Sequence, residues 1–321
     1  MMRKALIALA GVALGLSAAV PASAQTKPTR IIVAFTPGGP VDIVARTLSE
    51  PLGRELNRQV VVDNKPGANG AIGAQEVIRS EADGTTLWLT SVGAVAVNPV
   101  LYDKLAYDVQ RDFAPVSLVV NNEELLAAAP TYPARDAAEF VLLATRRTEP
   151  TPMASSGIGS IPHLAIEQFA EAAGLRLLHV PYKGAAQAIA DVMGGQVAAW
   201  FGDVPGMITL VRAGKLKPLG MAAKRRHPAL PDVPTLEEQG IRGVDTNNWY
   251  ALFVSSRTPP AVVDSLNQAV RRTLATAAVR ERLIGLGADP APSSPAELAS
   301  LVAEDTAKWG KLIRAKNIRP D

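Results

Sequence analysis

The chain has 321 residues, 48% hydrophobic and 20% charged, with no Cys and a formal net charge of +3. That length suits about two domains, and the balance of apolar to charged residues excludes a disordered chain. Without Cys there is no disulfide framework, so burial of a core must hold the fold together.

The N-terminus carries Arg3 and Lys4, an apolar run from Ala5 to Val20, and the small-residue site Ala22-Ser23-Ala24. This is the pattern of a secretory signal peptide over residues 1–24, with the mature chain starting at Gln25. The run is shorter than the ~20 residues a membrane span needs, and no second run is long enough. Removing Arg3 and Lys4 from 33 basic residues leaves 31 against 30 acidic ones, a net of +1. With no Lys/Arg tract, nothing points to nucleic acid. A soluble, exported protein is expected.

The mature chain alternates short apolar strands with amphipathic helices, which predicts a parallel α/β architecture. Arg30 to Phe35 is the first strand, TPGG a turn, and Pro40 a first helical residue. The helix runs towards Leu56 on a stripe of Val44, Leu48, Leu52 and Leu56, with Pro51 expected to kink or split it. Val60 to Val62 is a strand, and Lys65-Pro66-Gly67-Ala68-Asn69-Gly70 a loop into a helix over Ala71 to Arg79. Thr86 to Thr90 is a strand, followed by a small-residue turn at Ser91-Val92-Gly93. A second series begins with a strand at Leu125 to Ala129 and a helix at Ala137 to Ala144. Pro152 to Ser155 then leads through SSGIGSIPHL into a helix ending near Ala173. Leu175 to Val180 is a strand, PYKGAAQ a turn, and Ile189 to Met193 helical. Val197 to Phe201, Leu216 to Ala222 and Trp249 to Val254 are strands. Helices follow from Ala261, over Ala278 to Leu286, and over Pro295 to Ile313. Crossings near Val119 to Leu125 and near Asp245 to Ala251 divide the chain into two lobes. Residues 25–124 with 248–321 form one, and 125–247 the other, with a cleft between them.

Three strand–turn–helix junctions carry the chemistry. The turn from Phe35 to Asp42 offers helix N–H groups, and Gly38 and Gly39 allow close approach. Ser155 to Ser160 repeats the design with hydroxyls, and Tyr182-Lys183-Gly184 repeats it again. Singly, each reads as an ordinary βα loop; together they read as an anion site for carboxylate or phosphate. Asp42 either caps its own helix or faces the cleft, and capping fits its position better. There is no G-x-S-x-G, Walker or G-x-G-x-x-G motif. His163, His179 and His227 are too scattered for a zinc site. A Ser156–His163 nucleophile and base would make a secreted hydrolase, but no orienting acid is in evidence. His163 reads as a capping or packing residue.

The chain resembles the Bug-type (TctC-like) extracytoplasmic solute receptors of tripartite tricarboxylate transporters. The likeness runs from about Arg30 to the C-terminus. It is carried by RIIVAFTPGGPVDIVAR, VVVDNKPGANGAIGAQEV, ADGTTLWLTSVG, ASSGIGSIPHLA, HVPYKGAAQAIADVMGGQV and AGKLKPLGMAAKRRHPALPDVPTLEEQG. The resemblance implies a type II periplasmic binding protein, a Venus flytrap, with no cofactor and no enzymatic activity. It implies a small organic acid as ligand, membrane transporter subunits as partners, a periplasmic location and a monomeric state. A ligand-sensing role in signalling is the alternative. It places the ligand on Phe35, Thr36, Gly38, Gly39, Asp42 and Ser91 of the first lobe. From the second lobe it adds Ser156, Gly159, Ser160, His163, Tyr182, Lys183 and Asp203. NNEELLAAAP departs from the family in its two acidic residues, and NNWYALFV departs in Asn247, Asn248 and Tyr250.

Overall fold

The computed structural model describes residues 27–320, so the signal peptide expected over residues 1–24 lies outside the described residues. β1 (Thr29–Val33) leads into α1 (Pro40–Leu56), β2 (Val60–Asn64), α2 (Ala71–Arg79) and β3 (Thr86–Ser91). The strand β3 passes straight into a π-helical turn (Gly93–Val97) and α3 (Asn98–Leu101), not into a simple turn. A short α4 (Val109–Asp112) then enters β4 (Phe113–Asn121). Two residues on, β5 (Glu124–Ala128) opens a second unit with α5 (Ala137–Thr145), β6 (Thr151–Ser155), α6 (Ile161–Ala173) and β7 (Leu177–Pro181). That unit continues with α7 (Ala185–Met193), β8 (Ala199–Asp203), α8 (Val204–Arg212) and β9 (Lys217–Ala222). A long connection returns to β10 (Tyr250–Ser255), α9 (Pro260–Ala275), α10 (Ala277–Gly285), β11 (Asp289–Pro290) and α11 (Pro295–Ala315).

The strands form a six-stranded sheet ordered β11-β4-β10-β3-β1-β2 and a five-stranded sheet ordered β7-β6-β8-β5-β9. Around β1 and around β6 the pairing is parallel, as helical crossovers require. The sheets are nonetheless mixed. β10 runs antiparallel to β3 and β4, and β5 runs antiparallel to β8 and β9. The reason is topological. β5 and β10 are the strands on which the chain arrives from the other sheet, and such strands need no parallel crossover.

Alternate residues of each strand supply opposite faces. In the first sheet Ile32, Trp88, Ala251 and Phe253 face one apolar cluster, while Ile31, Leu87, Leu89 and Leu252 face another. In the second sheet Leu126 and Phe201 oppose Leu125 and Trp200 in the same way. Each sheet is therefore covered by helices on both faces. α1 runs unbroken through Pro51. The buried stripe Val44, Leu48 and Leu52 holds it against the sheet, and this outweighs the one hydrogen bond that Pro51 removes. α7 begins at Ala185, so the turn before it is shorter than expected.

Candidate functional site

A cavity of about 800 Å³ lies where the C-terminal ends of β1, β2, β3, β6 and β7 converge, the usual place for a ligand in open α/β sheets. Its walls come from both sheets. Nine of the thirteen expected residues line it: Phe35, Thr36, Gly39, Ser91, Ser156, Ser160, Tyr182, Lys183 and Asp203. Gly38, Asp42, Gly159 and His163 do not.

Gly38 is exposed on the turn, whereas Asp42, Gly159 and His163 are buried behind the wall. Asp42 is buried, and its carboxylate accepts from Gly38 N–H (2.9 Å), Arg46 Nε (2.8 Å) and Asn64 Nδ2 (3.0 Å). Burial alone would push its pKa up; the hydrogen bonds from Arg46, Gly38 and Asn64 outweigh that and hold it below the usual range. Asn64 also donates to Phe35 C=O at 3.1 Å, tying the turn to the end of β2. Gly38 needs its glycine for a φ of +75°, whereas Gly39 has an ordinary φ of −76°. What restricts Gly39 is space: an added Cβ would lie 3.2 Å from the Thr36 carbonyl oxygen.

Gly159 has a φ of +73°, and an added Cβ would lie 2.2 Å from Leu101 Cδ2, so no side chain fits there unless Leu101 moves. Its N–H donates to His163 Nδ1 at 3.1 Å. The His163 ring is buried and stacks on His179 with centroids 3.7 Å apart. Burial first, and His179 second, lower its pKa to about 3, so the ring is neutral. Its Nδ1 is occupied by a backbone N–H and its Nε2 faces Glu167 at 3.8 Å. Nothing here makes it a base for Ser156. The hydroxyl paired with an imidazole is Ser155, 2.5 Å from His179 Nε2.

Helix N-termini dominate the cavity wall. α1 and α7 begin at Gly39 and Gly184, and neither has a side-chain cap. At α1, Pro40 has no N–H, and the Gly38 and Gly39 N–H groups already donate to Asp42 and to Thr36 C=O, so the first group left for a ligand is that of Val41. At α7 the first N–H groups, from Ala185 on, are left. The α6 junction differs, because Ser160 Oγ accepts from His163 N–H and so caps its own helix. Another uncapped terminus is that of α2, entered through Gly67, Ala68, Asn69 and Gly70. All four have positive φ, +130°, +47°, +45° and +94°, and all four line the cavity. For Ala68 that conformation costs about 1–2 kcal/mol. In the sequence alone, Lys65 to Gly70 reads as a loop into α2. Its signal was the same strand–Gly–helix pattern recognised at Gly38.

The lobes touch around the cavity. Ile161 and Leu164 of α6 are buried in the first sheet's cluster with Val97 and Leu101. Lys316 Nζ lies 2.7 Å from Glu171, and a Cβ added to Gly184 would stand 3.0 Å from Thr36 Oγ1. This is a closed arrangement. At the hinge side of the cavity, Asp203 accepts from Tyr250 OH (2.5 Å) and Asn248 Nδ2 (3.1 Å). Tyr102, Trp200 and Asn248 complete the wall. Lys183 is the exposed cation on it. The result is a chamber that can bind an anion through main-chain N–H groups and one Lys.

A family described as tripartite tricarboxylate transporter family receptor matches residues 44–318. Protein BugT of Bordetella pertussis is 33% identical over 312 residues, covering 96% of this chain and 94% of that protein. Among solved structures, Rpa4515 of R. palustris with adipate superposes with a TM-score of 0.89 at 31% identity, covering 92% of this chain and 99% of that one. MatC of Rhodopseudomonas palustris with bound malate gives 0.82 at 32% identity, covering 90% and 99%.

Proposed function

Because the chain belongs to the tripartite tricarboxylate transporter family of receptors, we propose that it captures a small carboxylate in the periplasm and delivers it to a transporter's membrane subunits. The family is one of receptors, so the chain is a binding protein rather than an enzyme. The neighbours with adipate and malate support a carboxylate ligand. Residues 25–124 with 248–321, and residues 125–247, are the two lobes of a monomer. That division follows the membership of the two sheets, with its boundary one residue inside β5.

The observation that carries the reading is the convergence of helix N-termini without side-chain caps, those of α1, α2 and α7 among them, on one cavity walled by both lobes. Oriented N–H groups and helix dipoles favour a carboxylate without any metal or cofactor. The wall residues Phe35, Thr36, Gly39, Ser91, Ser156, Ser160, Tyr182, Lys183 and Asp203 are the proposed contacts, with Ala68, Asn69 and Asn248 added to them. Gly38 supports those contacts from the turn, and Asp42, Gly159 and His163 support them from behind. A thermal-shift screen of the mature chain against mono-, di- and tricarboxylates tests the proposal. A ligand present at 100 times its Kd should add about 2.7 kcal/mol of stability and be recovered unchanged. A screen in which no organic acid raises the melting temperature would overturn it.

A further inference from the structure

Glu124 and Asp203 are direct cross-strand partners in the β5–β8 ladder, so their side chains share a face of the sheet. Opposed Cβ atoms lie roughly 4.5–5.5 Å apart, close enough for the two carboxyl groups to meet. Both residues are buried, Glu124 at 0% and Asp203 at 6% exposure. Each has one oxygen fully out of solvent without a hydrogen-bond donor, Glu124 Oε1 and Asp203 Oδ1. Ionised carboxylates only accept, so two such groups cannot satisfy each other. Among the described residues no Lys or Arg pairs with either. An unpaired buried charge is far costlier than a protonated carboxyl.

We propose that Glu124 and Asp203 form a proton-sharing pair at the hinge, with Glu124 carrying the proton and Asp203 accepting it. The cavity wall then holds one buried negative charge, which a bound anion neutralises by drawing a second proton from solvent. The coupling to an anion rests on the proposed carboxylate ligand; the proton pair itself does not.

The surroundings fit this assignment. Asp203 Oδ2 is held by Tyr250 OH and Asn248 Nδ2, which favours leaving the charge on Asp203. Glu124 has a single long contact, from Thr246 Oγ1 at 3.5 Å, so it is the weaker anion. Burial raises Glu124 far above the carboxylate range, with Asp203 adding to the effect. Burial likewise raises Asp203 to about 7, against the hydrogen bonds from Tyr250 and Asn248. The titratable group facing the pair is Tyr250 from β10; Glu123, one residue along, instead feels Arg225, Asp289 and Asp245. Lys183 is the cation on the cavity wall. The pair touches both passages between the sheets. Asn122 Nδ2 donates to Asn248 C=O at 2.9 Å, and Val204 N–H to Glu123 C=O at 3.4 Å.

The test of the pair needs no ligand. Both folded-state values lie above the unfolded ones, so the stability they confer is complete below about pH 4 and is lost as pH rises, for Asp203 through about pH 7. Neutral, buried His163 acts in the opposite sense up to about pH 6.5, so the fall in melting temperature due to the pair should show between about pH 6.5 and about pH 8. In Glu124→Gln the side-chain amide donates where the protonated acid did, so only Asp203 still titrates and the fall should shrink to about half. Parallel pH profiles for the two proteins would overturn the pair. Should Glu124→Gln not fold, carbon-13 NMR of the unmutated protein, labelled at glutamate carboxyls, replaces it. One glutamate that remains protonated at neutral pH and titrates together with Asp203 is expected; full ionisation of every glutamate by about pH 6 sinks the idea. Calorimetry with malate and with adipate, in buffers of different ionisation enthalpy, reads the coupling. Binding should take up a fraction of a proton near neutral pH, and affinity should tighten by up to about tenfold per pH unit lowered. Binding without proton uptake removes the coupling. If neither acid binds, the carboxylate reading fails and the coupling with it, while the pair is still decided by the melting profile.

Discussion

Replacing Asp42 with Ala should destabilise the protein by about 3 kcal/mol and weaken carboxylate binding at least about tenfold. The carboxylate is reached from three segments at once: the turn through Gly38, the helix through Arg46, and β2 through Asn64. Removing it strands a backbone N–H and an amide. Arg46 is mostly exposed and loses little. The affinity loss follows because Asp42 and Asn64 hold the turn that carries the wall residues Phe35, Thr36 and Gly39. Chemical denaturation and titration calorimetry of the same variant measure both effects, and a variant that unfolds like its parent would show that the turn holds itself. The pH dependence has a definite sign. Asp42 lies below its ordinary value in the folded state, so its contribution is present above about pH 4 and lost as pH falls through the folded value. Acid loosens this turn, whereas rising pH loosens the Glu124–Asp203 pair.

Gly202→Val should be about as severe, through packing rather than charge. Gly202 and Trp200 project from the same face of β8, and the indole lies across the glycine. An added Cβ would come 2.0 Å from Trp200 Nε1 and 2.2 Å from Cε2. Trp200 is 2% exposed and enclosed by Leu125, Ala127, Val204 and Met221, so the ring has no free rotamer to take. Overpacking of this kind costs about 1–3 kcal/mol, and the added branches of Val place the effect at the upper end. Trp200 also lines the cavity, so its displacement should raise Kd for a bound carboxylate by about tenfold or more. Gly285→Ala is the matched control. An added carbon there meets nothing within 4 Å, and stability should hold or rise slightly. If Gly202→Val and Gly285→Ala melt together, the indole moves more freely than its enclosure implies.

Much of this molecule is written in local sequence. The helix over Ala71–Arg79 follows from its flanking turns and apolar spacing. α6 starts at Ser160 and Pro162 and ends at Gly174 with a left-handed φ of +62°, and each of those signals acts within one helical turn. The Phe35–Gly39 turn could be read as an anion-binding helix entrance for the same reason. Apolar alternation also sufficed for an α/β chain with two lobes. Tertiary structure decided the remainder. The apolar run Phe113–Asn121 is compatible with a strand, but its place between β10 and β11, strands that are remote in the chain, is decided only by the fold. Whether Asp42 faces the ligand or the turn depended on Asn64 at the end of another strand. The α2 entrance became part of the cavity only because β1, β2 and β3 lie side by side. The pairing of Glu124 with Asp203 exists only in the register of β5 against β8. Capping, turn and periodicity signals act through bonds between near neighbours, so the sequence carries them unaided. The direction of a buried carboxylate depends on which distant donors the fold brings to it, and only the packed structure supplies those.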